Sequence, residues 1–301
     1  MNKHHIGLVG CGRWGQHILR DLKSLNCEVT VVARSDQSRK NAVEGGATNV
    51  VDTVSKLPSV EGVVVASLTI THAPVIEELL GRNIPIFVEK PMTVDSESAG
   101  RFAKLAGDRL FVMDKWRYHP GIEMLSQIAR SKELGSILGL RTLRVNWGNP
   151  HPDVDGIWIL TPHDLSIALE ILGEIPPPRC AVAQRMNGTP TGLIGILGEK
   201  PWLALEVSTS HRKWRREIWL YCENGFAVLN DAYSEHIQIT FYSDPDQAIL
   251  RPVSKELPLL RELKTFIKHL EGGPSPRSSA AEGAAIVDTI VCLRKLAGID
   301  P

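Results

Sequence analysis

The chain has no excess of either charge: Lys plus Arg and Asp plus Glu number 34 each among 301 residues. Without a net field, nothing in its bulk electrostatics draws it to nucleic acid or to an anionic lipid surface. Its five cysteines (Cys11, Cys27, Cys180, Cys222 and Cys292) are odd in number, scattered and free of C-x-x-C spacing. That pattern excludes a disulfide framework and a structural zinc site, and it suits a reducing cytosol. No apolar run approaches the roughly 20 residues that cross a bilayer, and because the N-terminus leads at once into a short apolar run, no secretory leader is expected. No His, Cys or carboxylate spacing implies a metal ligand set. Internal repeats and low-complexity segments are missing as well. A soluble cytoplasmic protein of two domains is the expectation, from a composition of 43% hydrophobic and 23% charged residues and roughly 100–200 residues per domain.

What the chain does contain begins at once. The apolar run Ile6-Gly7-Leu8-Val9 ends in Gly10-Cys11-Gly12-Arg13-Trp14-Gly15 and passes into an amphipathic helical pattern with Ile18, Leu19, Leu22 and Leu25 on one face. Strand, glycine turn and helix start, in that order, are what a dinucleotide-binding unit requires. Gly10 permits the tight turn, Gly12 lets the backbone approach a pyrophosphate, and Gly15 lets helix and strand pack closely. The helix N-terminus then offers free N–H groups and a positive dipole end to the phosphates. Strand patterns at 6–9, 29–33, 62–66, 85–88 and 109–113 alternate with helical patterns at 15–25, 37–44, 73–82 and 96–106. This rhythm predicts right-handed crossovers and a doubly wound parallel sheet.

Beyond about residue 118 the rhythm changes. A helix at 121–130 precedes a long strand at 136–147, an irregular stretch at 148–156 and a helix at 162–172. Strands follow at 181–184, 192–197, 203–209, 216–222, 227–230 and 237–241, with Asn224-Gly225 as a hairpin turn, and helices close the chain at 258–270 and 280–296. The pattern predicts an α+β domain with a large, mostly antiparallel open sheet. Residues 1–118 are thus expected to bind the dinucleotide, and 119–301 to bind substrate and support assembly. Apolar positions such as Leu203, Leu205, Trp219 and Ile239 suggest that the sheet face away from the helices pairs with another copy, as a homodimer or homotetramer.

The second strand ends in Ala33-Arg34-Ser35. A small residue stands where an NAD-specific unit places an acid, and Arg34 with Ser35 can grip a 2′-phosphate. NADP(H) is therefore expected in preference to NAD(H). A second cluster, Glu89-Lys90-Pro91, puts a lysine at the C-terminal end of a parallel strand, the edge where open α/β sheets bind ligands.

At this point the chain resembles the Gfo/Idh/MocA oxidoreductase family, whose members carry an E-K-P tripeptide after a glycine fingerprint. Ser67 to His72 resembles the family's cofactor loop, Lys115-Trp116-Arg117-Tyr118-His119-Pro120 the segment leaving the cofactor domain, and Trp158 to Leu165 the helix start carrying the catalytic histidine. The resemblance runs almost from end to end and implies a Rossmann domain followed by an open-sheet α+β domain, with the active site between them. Sugars, nucleotide sugars and polyols, oxidised or reduced at a secondary carbinol, are the implied substrates.

Carried over by position, Lys90 and His163 are the catalytic pair. Gly10, Gly12, Arg13, Trp14, Gly15, Arg34, Ser35, Ser67, Thr69, His72, Glu89, Lys90, Trp116 and Arg117 form the implied cofactor site. Tyr118, Asp155, Lys90 and His163 meet the substrate in the same reading. The chemistry suits these residue types. Hydride loss from a carbinol builds negative charge on oxygen, which an ammonium stabilises while a group titrating near neutrality takes the proton. Thr161 is expected to cap the helix of His163, with Asp164 completing the cap, so that the helix N-terminus favours neutral imidazole.

One position departs from the pattern. Many members carry an aspartate four residues before the histidine, where this chain has Ile159; Asp153 or Asp155 would have to compensate. Ile159 therefore keeps two alternatives open: a catalytically silent NADP(H)-binding sensor, and a reductase of C=N or conjugated double bonds. The basic, aromatic stretch His211 to Arg216 reads as a solvated sheet edge, with an anionic substrate as the alternative.

Overall fold

The apolar runs of the first third pair edge to edge as parallel strands, because helices on both faces leave them no solvated side. A computed structural model describes residues 3–299. Its first elements are β1 (His5–Val9), α1 (Arg13–Ser24), β2 (Glu28–Val32), α2 (Asp36–Glu44), β3 (Asn49–Val51), β4 (Gly62–Val65), α3 (His72–Leu80), β5 (Ile86–Glu89), α4 (Ser96–Ala106) and β6 (Leu110–Met113). The six strands run parallel in the order β3-β2-β1-β4-β5-β6. The chain reverses its direction of winding between β1 and β4, and at such a switch point the loops after adjacent strands diverge and leave a crevice. Strand β3 has no counterpart in the predicted pattern; three residues are too few to show periodicity.

The second group comprises α5 (Pro120–Ser131), β7 (Ile137–Trp147), α6 (Gly156–Leu172), β8 (Pro178–Met186), β9 (Thr189–Gly198), β10 (Trp202–Ser208), β11 (Ser210–Cys222), β12 (Gly225–Leu229), β13 (His236–Phe241) and β14 (Ala248–Pro252). These strands form one sheet, β14-β13-β12-β11-β7-β10-β9-β8, antiparallel except where β10 meets β7. Helices α5 and α6 pack on one face. Leu203, Leu205 and Ile239 point to that covered face and are fully buried, which corrects the expectation that they line the open one. Trp219 does lie on the open face, in ring contact with Tyr221 and Phe226.

The last helices are α7 (Pro258–Leu270) and α8 (Ala280–Leu296). Two compact units result: Met1–Lys115 with Leu257–Val287, and Trp116–Glu256 with Asp288–Pro301. Leu259, Leu263 and Phe266 of α7 join the core of the parallel sheet, where Phe266 stacks on Phe87 at 5.0 Å. A single boundary at 118 therefore does not describe the chain, which returns to the first unit after the second has formed.

Candidate active site

In the first unit the glycine turn follows β1 on the C-terminal edge of the sheet. Gly10 has φ +92°, and a Cβ there would stand 2.8 Å from the Ala66 carbonyl oxygen and 2.9 Å from Ser67 Cα. A Cβ on Gly15 would stand 2.4 Å from the Gly10 carbonyl oxygen, so α1 packs on the turn only because neither residue has a side chain. At Gly12 a Cβ would meet nothing within 4 Å; this is the open side from which a phosphate can approach backbone N–H groups. The turn is anchored from α2, where Ser38 Oγ accepts from Cys11 N at 3.0 Å and Asn41 Nδ2 donates to the Cys11 carbonyl at 2.8 Å. Sequence pattern alone did not single out those two residues.

Arg34 is exposed at the end of β2 and forms no hydrogen bond or ion pair among the described residues, while Ala33 is buried. Ser35 caps α2, its Oγ accepting from Ser38 N at 3.2 Å. After β4, Thr69 is buried in the loop that begins at Ser67. His72 is buried too, and its ring nitrogens lie 2.9 Å from the Pro91 carbonyl and 3.2 Å from the Ser67 carbonyl. That imidazole thereby ties the loop after β4 to the E-K-P turn after β5. Lys90 is half-buried, and its backbone N–H donates to the Glu89 carboxylate. Trp14 donates its indole N–H to the same carboxylate, and Lys115 Nζ lies 4.3 Å from the Trp14 ring centroid. Arg13 is exposed. These residues fit a dinucleotide: a side-chain-free turn, an open approach and an uncommitted guanidinium.

Burial raises the Glu89 carboxyl, opposed by the charges of Lys90 and Lys115 and by the Trp14 hydrogen bond. On α7, Glu262 is fully buried, and neither carboxyl oxygen has a hydrogen-bond partner. Burial first, then the like charges of Glu89 and Asp114, push its pKa well above the ordinary value. With no donor to either oxygen, Glu262 is held toward its protonated form.

In the second unit α6 begins six residues earlier than the pattern predicts. Asp155 is its cap, with Oδ1 accepting from Ile157 N at 3.0 Å and Trp158 N at 3.3 Å, and Oδ2 receives Arg294 Nη1 at 2.6 Å. Pro162 lies inside the helix and Thr161 is buried within it, so Thr161 is not the cap and His163 is not at a helix N-terminus. The expectation that a helix dipole favours its neutral form is withdrawn. Asp164 is not a cap either: Arg144 Nε donates to both its oxygens at 3.1 and 3.0 Å, and both side chains are buried.

His163 is 9% exposed, with its ring 6.5 Å from that of Trp116. The Arg144 guanidinium lies 4.3 Å from the Trp116 ring centroid, and His119 stacks on the same indole at 5.0 Å. Trp116 and His163 therefore converge within this unit. Arg117 is directed elsewhere, into a buried ion pair with Glu170 at 3.2 Å, and Tyr118 is buried. Asp153 has a carboxylate oxygen 4.0 Å from His151 Nδ1, and Ile159 is buried on α6.

Residues 4–112 match the profile described as an oxidoreductase family with an NAD-binding Rossmann fold, the Gfo/Idh/MocA family. Over those residues the chain is similar to the Gfo/Idh/MocA family. It is 35% identical over 146 residues to an inositol 2-dehydrogenase of Arthrobacter sp. (strain FB24), an alignment covering 45% of this chain and 43% of that protein. In this relative, and in the rhizopine catabolism protein MocA of Rhizobium meliloti (29% identical over 145 residues), the match spans less than half of the relative's length. An inositol 2-dehydrogenase of Burkholderia vietnamiensis (strain G4 / LMG 22486) is 25% identical over 98% of this chain and 95% of its own. Among solved structures, UDP-N-acetylglucosamine 3-dehydrogenase GnnA from Acidithiobacillus ferrooxidans superposes with a TM-score of 0.85 at 20% identity, covering 98% of each chain. At that identity the likeness concerns the fold. The six-stranded parallel sheet followed by the eight-stranded mixed sheet is thus the fold of that structure. Among the described residues no group of His, Cys, Asp and Glu is arranged to hold a metal ion, and no helix is long and apolar enough to cross a membrane.

Proposed function

We propose that this chain is a dehydrogenase that exchanges hydride with a secondary carbinol of a carbohydrate-like substrate, using NADP(H) in preference to NAD(H). The observation that carries the reading is the shared sheet edge in the first unit. The glycine turn after β1, Arg34 after β2 and Lys90 after β5 all lie at C-terminal strand ends flanking the switch point. Inositol and nucleotide-sugar dehydrogenases among the relatives support a sugar or polyol as substrate.

The nicotinamide, when bound, supplies the two-electron acceptor or donor. The chain's own residues do the rest. Gly10, Gly12 and Gly15 admit the pyrophosphate, and Arg34 with Ser35 binds the 2′-phosphate. The Lys90 ammonium stabilises the charge that develops on the substrate oxygen, and His163 holds the proton that leaves or returns to it. Trp116 fixes the imidazole from one side, itself held by Arg144. The first unit serves the dinucleotide and the second the substrate. Five cysteines without a disulfide suit a reducing cytosol, and the aromatic open face of the larger sheet suits a homodimer or homotetramer.

Ile159 favours one competing reading. A buried isoleucine cannot hold charge or a proton where the family resemblance implies an aspartate, and a silent NADP(H)-binding protein would not need to. Hydride transfer, followed by nicotinamide absorbance across polyols, sugars, nucleotide sugars and imines, separates the two. Turnover that falls at least about a hundredfold in Lys90→Ala, with coenzyme still bound, is expected. Tight coenzyme binding with no turnover on any of these would transfer the assignment to the silent protein.

A further inference from the structure

Strand β11 does not keep step with β7. Ser210 stands opposite Trp147 and Arg215 opposite Val145, five residue steps on one strand against two on the other. Three extra residues are therefore looped out at the strand end, and such bulges re-aim the side chains beside them. The loop presents Arg212 and Lys213, both exposed and neither in an ion pair or side-chain hydrogen bond among the described residues. It is locally built, since Lys213 N donates to His211 Nδ1 at 3.2 Å. Beside it the Trp214 ring stacks on Tyr233, with centroids 5.8 Å apart and planes at 21°. Tyr233 is 83% exposed and Trp214 45%, so two large aromatic rings form a platform open to solvent.

Behind the platform lie two buried guanidiniums. The Arg216 guanidinium lies 4.7 Å from the Trp214 centroid and donates to the Val145 carbonyl and Asn146 Oδ1, each at 2.7 Å. Arg216 is paired across the strands with Arg144, and both are buried. Asp164 is the one buried carboxylate that both guanidiniums feel, with the partly exposed Asp231 adding to the field at Arg216. Burial and the neighbouring Arg144 push Arg216 down to about 10. Arg144 in turn stacks on Trp116, the indole beside His163. An aromatic platform flanked by uncommitted cations suits a planar ring carrying anionic groups. A neutral polyol needs none of those cations.

We propose that Trp214 and Tyr233, with Arg212 and Lys213, form a subsite for the nucleoside diphosphate group of a nucleotide-linked substrate. The base lies on the platform and the phosphates meet the two cations. This narrows the dehydrogenase reading to one substrate class, and it rests on that reading for the identity of what the nucleotide carries.

Isothermal titration of the full chain with uridine diphosphate tests it, in saturating coenzyme so that the dinucleotide site does not compete. Saturable binding is expected, with Tyr233→Ala and Trp214→Ala each raising Kd about tenfold and Trp214→Phe restoring most of the affinity. Arg212→Glu with Lys213→Glu should weaken binding further and flatten its dependence on salt. Failure to saturate, or an unchanged Kd in Tyr233→Ala, overturns the subsite; Tyr233 is a surface residue whose truncation leaves the core intact. Coenzyme affinity is measured in parallel. A chain that binds coenzyme but not uridine diphosphate loses the subsite and keeps the dehydrogenase assignment. One that binds uridine diphosphate through these residues but binds no coenzyme keeps the subsite and loses that assignment.

Discussion

The NADP(H) preference proposed above rests at the residue scale on Arg34. Arg34 is exposed, uncommitted and preceded by a buried Ala33, so nothing nearby competes for its guanidinium. A charge-assisted hydrogen bond to phosphate is worth roughly 1.5–3 kcal/mol. Arg34→Ala should therefore raise the Kd for NADP(H) about 10- to 150-fold while moving that for NAD(H) by less than about threefold. Fluorescence titration with both reduced coenzymes would show this, and equal shifts would refute the preference. Glu262 sets a pH dependence instead. Its folded pKa lies well above the ordinary 4.5, so the native state binds the extra proton. Stability is then fully present below the unfolded pKa and declines as pH rises toward the folded one. Glu262→Gln does not titrate, and its melting temperature relative to wild type should climb as pH rises above the ordinary carboxyl range toward the folded pKa. A constant difference would mean that Glu262 ionises normally.

At the scale of elements, α6 decides where the histidine stands. The helix is buried from Gly156 through Ala168, on all sides, so it lacks the one-sided stripe that marks a surface helix. Pro162 reads as a helix start, since proline favours the first turn; tertiary packing instead carries the helix through it. The start is held by Asp155, which caps two backbone N–H groups and receives Arg294. Removing it forfeits a cap and deprives a buried arginine of its carboxylate. Asp155→Ala should cost on the order of 3 kcal/mol, seen as a lower urea midpoint. Asp155→Asn, which still caps, should lose less. Equal losses would assign the whole effect to the ion pair.

At the scale of the whole molecule, the open face of the larger sheet is the feature that calls for a partner. Trp219, Tyr221 and Phe226 are in ring contact on it, and Ile194, Ile196 and Val182 are 42%, 38% and 66% exposed. Large apolar and aromatic side chains exposed together on a sheet face mark an interaction surface. Light scattering at micromolar concentration should return a multiple of 33.2 kDa, and Trp219→Arg should shift it toward the single-chain mass. A wild-type mass of one chain would leave the face without an assembly role.

The order of elements, the glycine turn, the parallel sheet and the E-K-P lysine were all legible in the residues. Each rests on interactions between near neighbours in the chain, whether strand periodicity, the missing Cβ of a turn or the start of a helix. Pairings of residues far apart in sequence were not legible: α7 in the core of the parallel sheet, Asp164 with Arg144 rather than at a helix end, Asp155 with Arg294. No local pattern encodes a partner 20 or 139 residues away. Burial chose those partners, because a desolvated charge must find its opposite wherever the folded chain brings one within reach.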